Sequence, residues 1–268
     1  MTLNLTEKTL EREGCTLHYW CGGDPDGVPL VFSHGAYIDH REWKNELALT
    51  AAAGYRVLGW DIRGHGQSRP GDFTMPAAVA DLIALLDREG IQKAVFIGHS
   101  MGGNLHQEAI FHHPERFLAL VTEDSTWNFQ KLTRAEEWGI KLGVPLIGCY
   151  PYQTLIRQMA AVSAAGEASQ AYLREAMSQL RKEEFVQVMR EATLCLHEEP
   201  TYTLPVPNLL IVGERDTTGN IRKVAPQWAK REPLCTYVVI PAAMHCAHMD
   251  QPEEFHRLLL EFLAKVRE

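Results

Sequence analysis

Ser100 lies between Gly98 and Gly102, three residues after the apolar run 94–97 and before residues 105–113, which carry apolar side chains at helical spacing. This pattern predicts a buried parallel strand, a sharp turn at the serine and then a helix. Such a turn holds the serine in a sparsely populated backbone conformation, and the chain on either side approaches so closely that only glycine fits. A serine hydroxyl becomes a good nucleophile when a neighbouring histidine takes its proton and an acid orients that histidine. The pattern therefore predicts nucleophilic catalysis at Ser100.

The order Gly-x-Ser-x-Gly between a strand and a helix resembles the nucleophile elbow of the α/β-hydrolase family. The resemblance extends over the whole chain, but it is specific only at the ends of the predicted strands. It implies a mostly parallel central sheet with helices on both faces. It also implies that the acid and the histidine follow the serine in that order along the chain.

Two histidines, His245 and His248, compete for the role of the base in the loop after the last predicted strand. The loop is similar to the family's histidine loop, in which an acidic residue and a proline follow the base. The distance to Asp250 and Pro252 favours His245, and His248 is the alternative. The family usually has glycine just before this histidine. Here the residue is Met244, which leaves the geometry of the loop open.

Asp216 is the predicted acid, because it follows the buried strand 208–212 where the family's G-x-x-D loop has its carboxylate. Asp124, at the end of the preceding strand, is the alternative, since some members of this fold use that position. Glu214 is interpreted as a solvated loop carboxylate.

Acyl transfer also needs N–H groups that stabilise negative charge on the carbonyl oxygen. One is the backbone N–H of Met101, directly after the serine at the start of its helix. The resemblance implies a second at Ala36, which follows the motif His34-Gly35. The side chains of residues 36 and 101 are then free to shape the pocket.

The type of nucleophile narrows the reaction. Haloalkane dehalogenases and epoxide hydrolases of this fold use aspartate at the elbow, whereas Ser100 indicates acyl chemistry. We expect hydrolysis of a small to medium carboxylic ester or lactone, with no metal and no cofactor. The alternatives are a carbon–carbon bond hydrolase, a cofactor-free perhydrolase or haloperoxidase, and a ligand-binding receptor without catalysis.

The pattern of hydrophobic residues predicts the strands and helices that must position these candidate site residues. Residues 3–10 and 16–21 alternate as antiparallel edge strands do, and buried strands follow at 29–33, 55–60, 94–97, 117–121, 208–213 and 236–240. Helical patterns between them predict a parallel sheet with right-handed crossovers. At the first of these helices, Asp39 followed three residues later by Glu42 predicts a capping box.

Residues 127–200 show helical patterns and no strand signal, so we expect a helical cap there. The predicted core domain then comprises residues 1–126 and 201–268. Four aromatic residues are candidates for lining the substrate pocket: Tyr37, Trp127, Phe129 and Trp138.

Composition bounds the remaining possibilities. The chain has 268 residues, 46% of them hydrophobic, which suffices for one α/β domain and a small cap. The net charge of -8 is spread evenly, so we expect a small-molecule substrate and neither nucleic acid nor a membrane as partner. No export signal is visible at the start, and six cysteines without metal-ligand spacing suggest free thiols. We expect a cytoplasmic monomer or homodimer.

Overall fold

The computed structural model describes residues 5–267, except for the side chains of residues 144 and 145. Within that range eight strands form one sheet in the order β1-β2-β4-β3-β5-β6-β7-β8. Their bounds are β1 Thr6–Arg12, β2 Cys15–Gly23, β3 Pro29–Ser33, β4 Arg56–Trp60, β5 Ala94–His99, β6 Phe117–Glu123, β7 Asn208–Gly213 and β8 Cys235–Ile240. Strands β1, β2 and β4 pair antiparallel, and all pairs from β4 to β8 are parallel. The predicted mostly parallel sheet is confirmed.

Ten α-helices connect these strands in the described part of the chain. They are α1 Lys44–Ala52, α2 Met75–Arg88, α3 Met101–His112, α4 Arg134–Cys149, α5 Tyr152–Ser163, α6 Glu167–Ser178, α7 Lys182–Thr193, α8 Ile221–Arg231, α9 Ala247–Asp250 and α10 Pro252–Arg267. Among residues 5–267, no helix combines the length and the apolar character that crossing a membrane requires.

Each face of the sheet is covered by its own hydrophobic core. All six residues of β5 are buried, and since side chains alternate along a strand, they serve both cores. Phe96 packs on the face covered by α2, α3 and α8, whereas Val95 and Ile97 pack on the face covered by α1 and α10. Burial on both faces explains why this strand reads as a continuous apolar run.

The capping box expected between Asp39 and Glu42 is wrong. Asp39 does cap the chain, but its carboxylate accepts from the N–H of Arg41 and begins a 3-10 helix, His40–Trp43. Glu42 does not reach back to this cap. It lies buried instead, and its carboxylate accepts a hydrogen bond from the N–H of Gly35 at 2.9 Å.

Helices α4 to α7 all lie between β6 and β7 in sequence, and two of them, α6 and α7, contact the loop after β3 at the carboxyl end of the sheet. The hydroxyl of Tyr172 donates to the carbonyl oxygen of Asp39 at 3.1 Å, and the ring of Phe185 stacks on Tyr37. The division into a core and a cap of residues 127–200 stays a prediction.

The glycine at residue 102 leads to a stability prediction. A Cβ there would lie 2.2 Å from the carbonyl oxygen of Ser33, which belongs to the rigid backbone of β3. We expect Gly102→Ala to lower the free energy of unfolding in urea by roughly 1–3 kcal/mol, because the turn must move apart.

The control is Gly139→Ala, in the exposed interior of α4 where a Cβ meets open space. It should raise the stability by roughly 0.5–1 kcal/mol through helix propensity. Equal stability of Gly102→Ala and the wild-type chain would contradict the close approach.

Candidate active site

Ser100 forms the turn between β5 and α3, with φ at 49° and ψ at -118°. A non-glycine residue at positive φ costs on the order of 1–3 kcal/mol, so neighbouring contacts must hold it. The N–H of Ser100 donates to the carbonyl oxygen of Glu123 at 2.8 Å. The hydroxyl of Ser125 donates to the carbonyl oxygen of Ser100 at 2.8 Å. The peptide groups on both sides of the side chain are therefore anchored to β6 and the loop after it.

The structure brings Ser100, His245 and Asp216 into one chain of hydrogen bonds. Oγ of Ser100 lies 3.0 Å from Nε2 of His245, and Nδ1 of His245 lies 3.1 Å from Oδ2 of Asp216. The other oxygen of Asp216 accepts from the N–H of Thr218 at 2.7 Å. Burial by itself raises the pKa of Asp216, but the hydrogen bond with His245, the charge of that histidine and the hydrogen bonds from Thr218 together outweigh burial and hold that pKa below the ordinary value. Asp216 is therefore ionised and can orient the imidazole.

Asp124, the alternative acid, lies in the same cluster as Asp216 and His245, with ligand atoms within 4.8 Å of one another. Its Oδ1 accepts from the N–H of Gly213 at 2.8 Å. Burial raises the pKa of Asp124 well above its usual range, and the nearby carboxylates of Asp216 and Glu123 raise it further. Asp124 makes no hydrogen bond with His245, whereas Asp216 does, so the geometry favours Asp216, and the raised pKa of Asp124 agrees with this choice.

His248, the alternative base, faces another part of the molecule. Its Nδ1 lies 2.9 Å from the carboxylate of Glu123, and its ring stacks on Trp43 at 4.6 Å. The cavity that His248 helps to line is not lined by Ser100. Of the two histidines that compete in the sequence, only His245 contacts the candidate nucleophile.

Met244, where the resembled family has glycine, does not require a left-handed backbone. The positive φ of this loop, 61°, falls on Ala242 instead. The carbonyl of Met244 passes so close to Gly213 that a Cβ there would lie 2.0 Å from its oxygen. The glycine that this loop needs is therefore at the end of β7, opposite Met244.

The backbone N–H groups of Ala36 and Met101 donate none of the hydrogen bonds found among the described residues. Both residues line the same cavity as Ser100. Met101 is the first residue of α3, where the N–H groups of a helix have no partner within the helix and the helix dipole is positive. Both groups are therefore available to an oxygen bound next to Ser100.

Two cavities open at Ser100. The first, of about 320 Å³, lies under α5, α6 and α7 and is mostly apolar, with four methionines in its wall: Met101, Met159, Met177 and Met189. The second, of about 810 Å³, extends between α4 and the start of α8 and is also mostly apolar, but its wall includes the charged residues Glu136, Arg222 and Lys223. Ser100 therefore lies where a smaller chamber without Asp, Glu, Lys or Arg in its wall meets a larger chamber that has such residues.

Of the four aromatic residues expected to line the pocket, Tyr37 alone lines either of these cavities. Trp127 and Phe129 line a different cavity. Trp138 lines neither of the two cavities at Ser100, and its surface is 63% exposed. Methionines, three of them on α5, α6 and α7, contribute to the apolar wall beside Ser100.

One functional feature is missing from the sequence analysis, a buried ion pair between Glu42 and His99. Oε1 of Glu42 lies 2.6 Å from Nδ1 of His99. Nε2 of His99 lies 2.9 Å from the carbonyl oxygen of His245, and a carbonyl only accepts, so Nε2 carries a hydrogen. With the bond from Gly35 to Glu42, this pair joins the loops that carry Ala36, Ser100 and His245. The only sequence signal was that His99 directly precedes Ser100.

The charges of this pair support each other. Burial by itself lowers the pKa of His99, but the carboxylate of Glu42 raises it well above the ordinary value. Burial raises the pKa of Glu42, but the nearby imidazolium of His99, the charge of His248 and the hydrogen bond from Gly35 together outweigh burial and lower that pKa. The pair is therefore ionised: Glu42 is a carboxylate and His99 is a protonated imidazolium.

Among the residues that the structure describes, three groups of side chains have atoms close enough together to hold a metal ion: Glu42 with His99 and Cys246, Asp39 with His40 and Asp61, and Asp124 with Asp216 and His245. Each group contains a histidine–carboxylate contact of 2.6–3.1 Å. These contacts account for the clustering of the groups without an ion.

The fold and the position of the serine together define an α/β hydrolase. A model described as the alpha/beta hydrolase family matches residues 30–258, so the chain belongs to that family. This is a family of hydrolytic enzymes, and the expected class of enzyme is supported at that level.

Among curated proteins, the chain is similar to a non-heme chloroperoxidase of Streptomyces lividans, 39% identical over 93 residues that make up 34% of each chain. It is 26% identical over 276 residues to 3-oxoadipate enol-lactonase 1 of Acinetobacter baylyi, covering 96% of both. The chain spans about a third to a half of the length of the first curated relatives that it matches. A solved thermophilic esterase from Thermogutta terrifontis has a TM-score of 0.81 at 22% identity, covers 99% of this chain and 100% of its own, and shows the shared fold.

The Glu42–His99 pair leads to a pH-dependent prediction for Glu42→Gln. Because the pKa of Glu42 is lower in the folded chain, its charged form stabilises the fold. This contribution is complete above about pH 4.3, where a glutamate of the unfolded chain titrates, and it is lost as the pH falls through the pKa of Glu42 in the folded chain. Because the pKa of His99 is higher in the folded chain, its protonated form also stabilises the fold. This contribution is complete below about pH 6.5 and is lost as the pH rises through the pKa of His99 in the folded chain. The stability difference from wild type should therefore be largest between about pH 4.3 and 6.5.

We expect this difference in the free energy of unfolding to reach roughly 3 kcal/mol. This is the lower end of the range for a broken buried ion pair, because His99 can lose its proton and so avoid remaining as an unpaired buried charge. Urea unfolding at several pH values measures it. Glu46→Gln is the control, since it breaks a contact with the partly exposed His256 and should cost less. A difference that does not change from pH 4 to pH 9 would contradict the ionised pair.

Proposed function

We propose that the chain is a serine hydrolase that cleaves a small to medium carboxylic ester or lactone through an acyl-serine intermediate. The observation that carries this proposal is the chain of hydrogen bonds from Asp216 through His245 to Ser100, at the point where the two cavities meet. The residue types and distances match what an activated serine requires.

The proposed reaction begins when Oγ of Ser100 attacks the carbonyl carbon and its proton moves to Nε2 of His245. Asp216 stabilises the imidazolium through Nδ1. The N–H groups of Ala36 and Met101 donate to the developing oxyanion, and such a donor is typically worth about 10²- to 10³-fold in rate.

Collapse of the tetrahedral intermediate breaks the bond to the leaving oxygen, which takes the proton from His245. In the second half of the reaction, water loses a proton to His245 and attacks the acyl carbon, so that the acid is released and Ser100 regains its proton. In a lactone the leaving oxygen stays attached to the acyl chain, and one product is formed.

The cavities support an assignment of the two halves of the substrate. Ala36 and Met101 line the apolar chamber of about 320 Å³, so the acyl group with its carbonyl oxygen belongs there. The alcohol portion then lies in the larger chamber of about 810 Å³, whose wall includes charged side chains. These volumes fall in the usual range for small-molecule sites. The similarity to proteins named enol-lactonase and esterase agrees with this substrate class.

A second candidate, a cofactor-free perhydrolase, is favoured by the similarity to a non-heme chloroperoxidase. In that reaction hydrogen peroxide replaces water, attacks the acyl-serine and leaves as the peracid. Release of peracid from an ester in the presence of peroxide, at a rate above that of hydrolysis, distinguishes this activity from an esterase.

Labelling with a fluorophosphonate probe tests the nucleophile, because the probe phosphonylates activated serines. We expect intact-mass spectrometry to show one adduct on the wild-type chain and none on Ser100→Ala. The control is Ser163→Ala, a serine that lines the same cavity without a contact to His245, and it should keep the adduct. Absence of an adduct from a folded wild-type chain would contradict the proposal and favour a ligand-binding receptor.

Paired substitutions test the two candidate acids. Asp216→Asn should lower kcat/KM by roughly 10⁴-fold, because the amide favours the wrong tautomer of His245. Asp124→Asn should change kcat/KM less than about 10-fold, since Asp124 makes no hydrogen bond with His245 and an amide oxygen still accepts from Gly213. The reverse pattern would transfer the role to Asp124.

A further inference from the structure

Asn104 lies one turn of α3 after Ser100, and its side chain borders both cavities. The residue is only 7% exposed. Its backbone N–H donates to the carbonyl oxygen of Ser100 at 3.1 Å, which sets its position relative to the serine. A buried amide in this place must either find partners within the protein or bind the substrate.

The amide nitrogen of Asn104 has both its hydrogens in use. Nδ2 donates to the carbonyl oxygen of Thr126 at 3.0 Å and to Oδ1 of Asn128 at 2.6 Å. A carbonyl oxygen accepts and never donates, so the nitrogen must face Thr126.

The orientation of Asn128 is determined in the same way. Its own Nδ2 donates to the carbonyl oxygen of Asn104 at 3.0 Å and to the carboxylate of Glu108 at 2.7 Å. Oδ1 is therefore the atom of Asn128 that faces Asn104. The surrounding acceptors thus determine which atom of the Asn104 amide is oxygen.

Oδ1 of Asn104 accepts no hydrogen bond from the described residues, in contrast to its fully used nitrogen. It is also not among the side-chain oxygens that are sealed from solvent. Since the exposed part of this residue borders the two cavities, Oδ1 faces the space next to Ser100. It is a fixed acceptor, and a ligand must supply an O–H or N–H group to match it.

We propose that Oδ1 of Asn104 accepts a hydrogen bond from a hydroxyl or N–H group of the substrate, so that the preferred esters or lactones carry such a donor close to the scissile carbonyl. This inference rests on the proposed function of Ser100. One turn of helix rises about 5.4 Å, so the donor lies within a few bonds of the carbonyl carbon. It belongs to the acyl or to the alcohol portion, because Asn104 borders both chambers.

An apolar substrate that covers Oδ1 removes its water and leaves it unpaired, which costs more than a hydrogen bond between exposed groups. A site built around a substrate hydroxyl therefore discriminates strongly against the analogue that lacks it. We expect a preference of roughly 10- to 100-fold in kcat/KM for the donor-bearing substrate.

Matched esters test this with the wild-type chain. On the acyl side, ethyl 3-hydroxybutyrate is compared with ethyl 3-methoxybutyrate, which has the oxygen but no hydrogen to donate. On the alcohol side, 2-hydroxyethyl butyrate is compared with 2-methoxyethyl butyrate. A preference of at least 10-fold for the hydroxyl compound in either pair supports the proposal. Equal values of kcat/KM in both pairs would overturn it.

In the variant Asn104→Leu the side chain has a similar volume to asparagine but no hydrogen-bond acceptor. The preference for the hydroxyl compound over its methoxy partner should therefore disappear, with a ratio of kcat/KM values of about 1. Gln107→Met is the matched control. Gln107 also donates to the carbonyl of Thr126, and it accepts from the N–H of Asn128, so its loss disturbs the same network but keeps Oδ1 of Asn104. The control should retain the preference. A preference that persists in folded Asn104→Leu would assign the recognition to another residue.

Failure of the proposed function is recognised separately. If the wild-type chain cleaves none of the four esters and forms no fluorophosphonate adduct, the hydrolase assignment fails. The dissociation constants of the four esters from Ser100→Ala, measured by calorimetry, then decide the role of Asn104. Tighter binding of a hydroxyl compound than of its methoxy partner supports it, and equal binding overturns it.

Discussion

The close approach of backbone at Ser100 is the constraint on which the rest of the structure depends. β5 ends one residue before the serine and α3 begins one residue after it, so the chain reverses direction within a single residue of positive φ. A side chain at Gly102 would collide with the backbone of β3. Because the two elements meet so closely, Ser100 projects from the carboxyl end of the sheet, where the loops of the neighbouring parallel strands also end.

A buried ion pair connects these loops. Glu42 bonds the loop after β3, and His99 contacts both Glu42 and the carbonyl of His245. A charge pair without water tolerates little change in distance, so the loops before Ala36, Ser100 and His245 are held relative to one another. The main-chain donors proposed for the oxyanion and the proposed base thereby share one support, although they are far apart in sequence.

The two chambers beside Ser100 differ in size and in the charged residues of their walls. Methionines from α5, α6, α7 and α3 contribute to the wall of the smaller chamber, and flexible thioether side chains adapt to acyl groups of different shape. Amides and charged groups accumulate toward the other chamber, with Asn104 at the boundary. The groups around Ser100 are those proposed for the reaction, whereas the difference between the two chambers and the free acceptor of Asn104 are the features proposed to select the substrate.

The sequence by itself determined the fold class, because continuous apolar runs and helical spacing alternate along the chain, and it also indicated Ser100, His245 and Asp216 at strand ends. The sequence still left one alternative for each role, Asp124 for the acid and His248 for the base. In each case the alternative and the preferred residue occupy similar local sequence. Only the tertiary structure decided which of these candidate residues contact one another. It also shows that methionines, and not Trp127, Phe129 or Trp138, line the cavities beside Ser100. The Glu42–His99 pair and the free acceptor of Asn104 were also invisible in the sequence, because charge pairing and hydrogen-bond partners depend on distances between segments that local patterns do not encode.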